Sequence, residues 1–321
     1  MLSLFLFIVG LVLLIYASNW LIDGSSSLAQ RLNVSDLVIG LTVVAFGTSS
    51  PELIVNLIAS YNGNTDIAIG NVVGSNIFNL LVILGLTAAI SPIVVKSTTV
   101  WKEIPFSILA VVVMWLMAND VILDGYSRAE ISRIDGLVLL SFFSIFLAYT
   151  FALAKSSGPL HEEVETTKKM GILKSVILVI SGLTGLFFGG KFLVEGAVDI
   201  AKMVGMSEAV IGLTVVAAGT SLPELATSIV AATRKKADIA IGNVVGSNIF
   251  NIFLVLGVSA TIRPIPFNIK SNLDLFFLLV ASLVMFAFLF IGKQKQINRN
   301  QGIFLFLMFV AYTTYLLVFT T

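Results

Sequence analysis

The stretch DIAIGNVVGSNIFN occurs twice in this chain, at Asp66–Asn79 and again, letter for letter, at Asp238–Asn251. The two copies lie 172 residues apart. A second motif keeps the same offset, since VIGLTVVAFGTSSPE at Val38–Glu52 corresponds to VIGLTVVAAGTSLPE at Val210–Glu224. Matches of this length at one offset are far beyond chance, and internal repetition indicates a chain built from copies of one structural unit. The sequence therefore predicts two equivalent halves.

The composition indicates that both halves lie in a membrane. Of the 321 residues, 57% are hydrophobic and only 12% are charged, whereas about 25% charged residues are usual in soluble domains. Apolar runs of about 20 residues, enough for a helix to cross a bilayer, recur along the chain. We predict an all-α membrane protein with ten transmembrane helices, at roughly residues 2–29, 35–60, 66–90, 103–119, 133–154, 172–203, 208–232, 238–262, 273–291 and 302–319.

The odd number of crossings in each half predicts how the halves are related. The first five-helix repeat is 1–154, the polar segment 155–171 is a linker, and the second repeat is 172–321. After five crossings the second repeat enters the membrane from the opposite side, which makes the two repeats inverted. Thirteen of the 19 Lys and Arg residues fall in loops on one side, and the positive-inside rule makes that side cytoplasmic. The linker is then cytoplasmic and both termini lie outside.

The absence of soft ligands limits the chemistry inside the membrane. The chain has no cysteine, and its one histidine, His161, lies in the polar linker. Disulfide frameworks, thiolate zinc sites and haem sites are therefore excluded. A metal ion bound within the helices would meet oxygen ligands, which suit Na+, Ca2+ or Mg2+. The net charge of +1 gives no indication of a nucleic-acid partner.

Two glutamates, Glu52 and Glu224, lie in the middle of apolar helices at equivalent repeat positions. An intramembrane carboxylate costs at least about 2–3 kcal/mol and points to a functional site. The alternative for a single glutamate is a protonated side chain that bonds to a neighbouring helix. Pro51 and Pro223 come directly before the acids, and proline kinks or breaks a helix. Broken backbone at this depth must be buried in protein or line a cavity, so the pattern predicts an ion site.

The polar residues around the acids supply further oxygens. Thr48, Ser49, Thr220 and Ser221 provide hydroxyls, and we expect the broken turns to free the backbone carbonyls near Ala45 and Ala217. Residues 71, 75 and 79 are spaced i, i+4, i+8 and therefore line one helix face. We interpret this stripe and its equivalent as walls of the ion site, formed by Asn71, Ser75, Asn79, Asn243, Ser247 and Asn251, with Asn76 and Asn248 pointing elsewhere.

The number and charge of these groups suggest how a transport cycle would work. Ca2+ takes six to eight oxygen ligands, and this set is large enough. Two adjacent carboxylates repel strongly at low dielectric and need about two positive charges to remain ionised together. One Ca2+, two Na+ or two protons would serve. A site that cannot close while empty moves across only when loaded, which is the physical basis of obligatory exchange.

The paired motifs, two copies of GTS-x-PE and two of GN-x-x-GSN, resemble the cation/Ca2+ exchanger superfamily and specifically its prokaryotic-type Na+/Ca2+ exchangers. The resemblance covers nearly the whole chain. It implies an antiporter that exchanges Na+ for Ca2+ by alternating access. We expect no enzymatic activity and no cofactor, a location in the prokaryotic plasma membrane among membrane lipid, and a chain that acts as a monomer. The resemblance also implies that helices one and six slide past the rest. Ligation is implied for Glu52, Glu224, Thr48, Ser49, Thr220, Ser221, Ser75, Ser247 and the carbonyls of Ala45 and Ala217. Neutral Asn79 and Asn251 argue against K+ co-transport.

Three other functions remain as alternatives. A proton-driven Ca2+ antiporter is the nearest, because protons can replace Na+ on the two acids. An ion channel would conduct without a counter-ion and would usually need several subunits around one axis. An intramembrane hydrolase would need a serine with a histidine or lysine at membrane depth, and Lys191 has no matching serine motif.

Overall fold

A computed structural model describes residues 2–63, 65–123, 125, 128–156, 170–203, 217–291 and 295–319. Within this part of the chain, helices account for nearly all regular structure, and the only strands are four of two residues each. The predicted linker 155–171 lies outside the described residues except at its two ends. The all-α prediction is confirmed for the described residues.

The first half contains nine helices among its described residues. They are α1 (Leu2–Leu32), α2 (Asp36–Thr48), α3 (Ser50–Asn62), α4 (Thr65–Phe78), α5 (Leu84–Ile90), α6 (Ser97–Trp101), α7 (Glu103–Met117), α8 (Asp120–Leu123) and α9 (Arg133–Ser156). A π-helical turn at Gly40–Val44 lies within α2, and another at Asn79–Ile83 joins α4 to α5.

The second half follows the same order where it is described. Its helices are α10 (Ile172–Met203), α11 (Ala217–Gly219), α12 (Leu222–Thr233), α13 (Ala237–Ile249), α14 (Gly257–Ile262), α15 (Asn272–Phe288) and α16 (Arg299–Phe319). A π-helical turn at Phe250–Leu256 joins α13 to α14, and a short 3-10 helix at Ile269–Ser271 precedes α15.

Seven of the described helical segments are long and apolar enough to cross a membrane, or eight if the bent pair α2–α3 counts as one span. The seven are Leu2–Leu32, Ala68–Ile90, Ser97–Met117, Arg133–Lys155, Ile172–Met203, Ala237–Ile262 and Ile269–Phe288. Ten crossings would also require the predicted helices at 208–232 and 302–319. These fall on α12 and α16, and residues 208–216 lie outside the described part of the chain.

Each half contains a break at a serine that precedes a proline. Between α2 and α3 the axis bends by 45°, and Ser49 at the break has φ −83° and ψ 5°. Ser221, at the start of α12, has nearly the same geometry, with φ −91° and ψ 5°. Pro51 and Pro223 then lie in the first turn of the following helix, where a missing N–H costs no hydrogen bond. The predicted break is confirmed in the first half.

The long helices α1 and α10 pack closely against each other through glycines. A Cβ at Gly10 would lie 2.7 Å from the carbonyl oxygen of Gly189, and a Cβ at Gly182 would lie 2.9 Å from that of Ala17. The two contacts are equivalent in the repeat, because Gly182 follows Gly10 by 172 residues and Gly189 follows Ala17 by the same offset. These glycines let the two helix backbones approach each other closely.

Short strands also join the two halves. β1 (Ile93–Val94) pairs with β4 (Gln296–Ile297), and β2 (Glu130–Ile131) pairs with β3 (Ile265–Pro266). β1 and β3 occupy equivalent repeat positions, so each half contributes the same segment to a pair with the other. The spans that precede β1 and β3, Ala68–Ile90 and Ala237–Ile262, are the most buried of the seven. In their apolar windows, 78% and 94% of the residues are buried. These two spans carry the repeated polar motif.

Candidate ion-binding site

The two broken helices bring the acids of both halves into one site. Ser49 Oγ donates to Glu224 Oε1 at 2.9 Å, and Ser221 Oγ donates to Glu52 Oε1 at 3.1 Å. Each serine therefore bonds to the glutamate of the opposite half. Both glutamates are only 1% exposed. The sequence predicted that these four residues lie together, and the structure places them together.

Hydroxyls surround the two carboxyl groups. The side chains of Ser49, Thr48 and Ser247 lie around Glu224, and those of Ser221 and Thr220 lie around Glu52. The two carboxyl groups are also close enough for their charges to repel each other. Like charges at this depth need a compensating cation or protons. The site therefore has the electrostatic character of a cation site.

Two asparagines of the repeated motif hold the backbone behind the acids. Asn243 Nδ2 donates to the carbonyl of Glu224 at 3.3 Å and to Ser228 Oγ at 3.0 Å. Asn71 Nδ2 donates to the Asn56 side chain at 2.7 Å and to the Glu52 carbonyl at 3.5 Å. These amides therefore fix the main chain of the acids, which is a different role from the predicted wall of the site.

A second pair of asparagine contacts crosses between the halves. Asn79 Nδ2 donates to Asn248 Oδ1, and Asn251 Nδ2 donates to Asn76 Oδ1, both at 3.0 Å. Because each amide nitrogen is occupied in this way, the orientation of Asn79 and Asn251 is set. Asn76 and Asn248 are thus positioning residues, which the sequence analysis had left outside the site. Their equivalence at the 172-residue offset was the available signal.

Several buried oxygens of the predicted ligand set have no hydrogen-bond partner among the described residues. A buried polar atom without a partner is rare and calls for an explanation such as a bound ion. Six of the seven form pairs at equivalent repeat positions. The seven are Glu52 Oε2, Glu224 Oε2, Ser75 Oγ, Ser247 Oγ, Asn79 Oδ1, Asn251 Oδ1 and Thr220 Oγ1. They are the ligand type that Na+ and Ca2+ prefer.

One predicted feature is wrong. The carbonyl of Ala45 is not freed by the break, because it accepts the Ser49 amide at 3.0 Å. The helical hydrogen bonds of α2 continue up to Ser49, so the break leaves the Ala45 carbonyl paired. In the second half the Ser221 amide donates to Ala218 at 3.2 Å. Ligation by the carbonyls of Ala45 and Ala217 stays a prediction.

Two further polar residues support the site and were not anticipated. Asn56 and Ser228 are fully buried, and each bonds to the asparagine that braces the preceding acid. They occupy equivalent positions one turn after Glu52 and Glu224. A search for polar residues at the 172-residue offset would have found them.

The π-helical turns lie beside these residues. One begins at Asn79 and the other contains Asn251, its repeat equivalent. Single π-helical turns within α-helices occur frequently at functional sites. The extra residue in each turn shifts the helix register directly after the polar motif.

A cavity of about 390 Å³ lies between α10 and the two breaks, and it includes Thr48, Pro51 and Pro223 in its lining. Ser50 also lines it, and its hydroxyl donates to the Phe46 carbonyl at 2.8 Å. Ser50, at the start of α3, therefore bonds back to α2 across the break. The cavity leads to the edge of the site at Thr48.

Comparison with known proteins gives the same picture over the whole chain. A family model described as "Sodium/calcium exchanger protein" matches residues 2–152 and 174–318. The chain belongs to the sodium/calcium exchanger family. The two matched segments correspond to the two sequence repeats.

Individual members of the family are similar along their full length. The chain is 38% identical over 312 residues to the putative antiporter CaxA of Alkalimonas amylolytica, covering 95% of both. It is 31% identical over 345 residues to the sodium/calcium exchanger MaX1 of Methanosarcina acetivorans, again covering 95% of both. A solved structure of the sodium-calcium exchanger NCX_Mj superposes with a TM-score of 0.83 at 37% identity, covering 98% of this chain and 99% of that one.

Proposed function

We propose that this exchanger is a secondary antiporter that moves Na+ and Ca2+ in opposite directions through one site near the membrane midplane. The observation that carries the proposal is the reciprocal bonding of Ser49 to Glu224 and of Ser221 to Glu52. It joins two buried acids from different halves into a single site. The unpaired oxygens around them supply the ligand type that the family's ions need.

The proposed ligands come from both halves in equal number. The cation is the transported substrate, and its positive charge offsets the repulsion between Glu52 and Glu224. Because both acids are buried, an unloaded site with two bare charges is too costly to close, so movement requires Ca2+ or competing Na+. The full set is Glu52, Glu224, Thr48, Ser49, Thr220, Ser221, Ser75, Ser247, Asn79, Asn251 and the carbonyls of Ala45 and Ala217.

The proposed architecture has ten crossings arranged as two inverted repeats, 1–154 and 172–321, with 155–171 as a cytoplasmic linker. The reciprocal glycine contacts between α1 and α10 support it, as do the two strand pairs, in which β1 and β3 lie at equivalent repeat positions. Inverted repeats let the site face either side when one part rocks or slides past the other. We assign the chain to the prokaryotic plasma membrane and expect a monomer to suffice, because one chain carries both halves of the site.

A proton-coupled Ca2+ antiporter is the second candidate. Two buried carboxyls that repel each other can be neutralised by two protons as well as by two Na+. One of the similar proteins is named only as a putative antiporter, a description that fits either coupling ion.

Ca2+ flux into proteoliposomes distinguishes the two candidates. We expect Na+-loaded vesicles diluted into Na+-free buffer to take up Ca2+, with choline-loaded vesicles as the matched control. A pH gradient without Na+ should drive no uptake above the control. Uptake that depends on the pH gradient alone would replace the Na+/Ca2+ proposal with the proton-coupled one.

A further inference from the structure

Three ion pairs join the two halves at one end of the molecule. Each contains one residue from the first half and one from the second. The bases lie in loops on the side that the positive-inside rule makes cytoplasmic. The latch pairs, as we name them, are Asp23–Arg234 at 2.6 Å, Asp36–Lys236 at 3.0 Å and Lys96–Asp238 at 2.8 Å.

The repeat equivalents of these residues differ in one consistent way. At the 172-residue offset, every acid corresponds to another acid and every base corresponds to an asparagine. The acids correspond to Glu195, Glu208 and Asp66, and the bases Arg234, Lys236 and Lys96 correspond to Asn62, Asn64 and Asn268. Asparagine has no charge, so the equivalent three ion pairs cannot form at the opposite end.

This one-sided difference bears on the balance between the two transport states. In inverted repeats with identical halves, the state closed to the cytoplasm and the state closed to the outside would have equal energy by symmetry. Any preference must come from positions where the halves differ. We propose that the latch pairs hold the halves together on the cytoplasmic side and thereby favour the state that is closed there. This inference rests on the proposed alternating-access function.

The expected size of the preference follows from how exposed the pairs are. The side chains of Asp36 and Lys236 are 22% and 18% exposed, whereas those of Asp23 and Arg234 are 43% and 39% exposed. Exposed pairs contribute little and are screened by salt. Each pair should shift the ratio of the two states by about two- to fivefold, with Asp36–Lys236 contributing most.

Site-specific labelling tests the latch directly, because the natural chain has no cysteine. Ser26 is 1% exposed and lies in α1, close in sequence to Asp23. A Ser26→Cys variant should react with a membrane-impermeant maleimide from the cytoplasmic side only when that side opens. Val198→Cys, at the repeat-equivalent position in α10, reports on opening to the outside.

The test variant combines Arg234→Asn, Lys236→Asn and Lys96→Asn, which are the residues of the opposite half. We expect cytoplasmic labelling of Ser26→Cys to become about tenfold to about 100-fold faster, because three pairs of about two- to fivefold each are lost. Labelling of Val198→Cys from the outside should stay unchanged or slow down. The charge-keeping variant with Arg234→Lys, Lys236→Arg and Lys96→Arg is the matched control and should label like the parent.

Two results would overturn the latch. One is a change of less than twofold in cytoplasmic labelling of the triple asparagine variant. The other is faster labelling at both positions, which would indicate a loosened fold. Reversing one pair with Asp36→Lys and Lys236→Asp should restore slow labelling relative to Lys236→Asp alone. Labelling needs no ion gradient, so intact Na+/Ca2+ exchange with unchanged labelling would refute the latch alone.

Discussion

The two halves share nearly the same motif around their acids but use it differently. In the first half, Thr48 Oγ1 lies within hydrogen-bonding distance of the Val44 carbonyl, the Ala45 carbonyl and Asn243 Oδ1. In the second half, Thr220 Oγ1 is buried and has no hydrogen-bond partner among the described residues. Among the described residues, the two threonines therefore differ in their contacts.

The amide at each break also has a different acceptor, although Ser49 and Ser221 have nearly the same φ and ψ. The Ser49 amide bonds four residues back to Ala45, as in an α-helix, whereas the Ser221 amide bonds three residues back to Ala218. In the proposed alternating access, each half would adopt the hydrogen bonding of the other when the site changes sides. The two acids therefore lie at equivalent positions, whereas the hydrogen bonds of the residues before them differ.

The largest effect should come from the acids, where the halves are expected to behave alike. Glu52→Gln and Glu224→Gln should each abolish Na+-driven Ca2+ flux, by at least about 100-fold, because one remaining carboxylate cannot bind Ca2+ and complete the charge balance. Flux in proteoliposomes provides the measurement. A clear difference in flux between the two variants would contradict the equivalence of the two acids.

A third buried glutamate provides the matched control for these variants. Glu103 is fully buried and accepts a hydrogen bond from Tyr149, in a different part of the molecule. Glu103→Gln should keep flux within a few-fold of the parent. Loss of flux in Glu103→Gln as well would mean that any buried acid is needed, and the assignment of the site would fail.

The bracing asparagines should show an intermediate and unequal effect. Asn243 is fully buried, and three groups surround its amide: the Glu224 carbonyl, Ser228 and Thr48. Asn71 is only partly buried. Asn243→Ala should lower the free energy of unfolding by about 2–3 kcal/mol and Asn71→Ala by about 1 kcal/mol. Thermal unfolding in detergent measures both, and an equal loss would contradict the asymmetry.

The smallest effect should separate the two threonines. In Ca2+-free buffer, Thr48→Val should lower the free energy of unfolding by about 1 kcal/mol, because its hydroxyl bonds within the protein. Thr220→Val should leave it unchanged or raise it slightly, because the valine removes a buried hydroxyl that has no hydrogen-bond partner among the described residues. Both variants should weaken Ca2+ binding, and the Thr→Ser variants should behave like the parent. Equal destabilisation by the two valines would remove the contrast between the halves.

Much of the fold and of the site was predictable because the decisive information is in the repeat. Glu52 and Glu224, the cross-half partners Ser49 and Ser221, and the breaks before the prolines follow from polar residues at equivalent positions in apolar helices. Family membership followed from the same motifs.

The features that could not be predicted depend on three-dimensional contacts that the repeated sequence alone does not specify. Symmetry assigned Thr48 and Thr220 the same role, and only the coordinates separate them. The carbonyl of Ala45 was wrongly expected to lose its helical hydrogen bond, because the position of a helix break near a proline depends on where the next helix begins. The roles of Asn76 and Asn248 depend on contacts between halves, which neither half's sequence contains.

We propose that two acids from different halves hold one ion. Equilibrium Ca2+ titration of the purified protein by isothermal calorimetry tests it most directly, with Glu52→Gln and Glu224→Gln beside the parent. We expect the parent chain to bind one Ca2+, which Na+ displaces. We expect no measurable Ca2+ binding in either variant. One Ca2+ bound with unchanged affinity in either variant would contradict it, because the acids would then belong to separate sites.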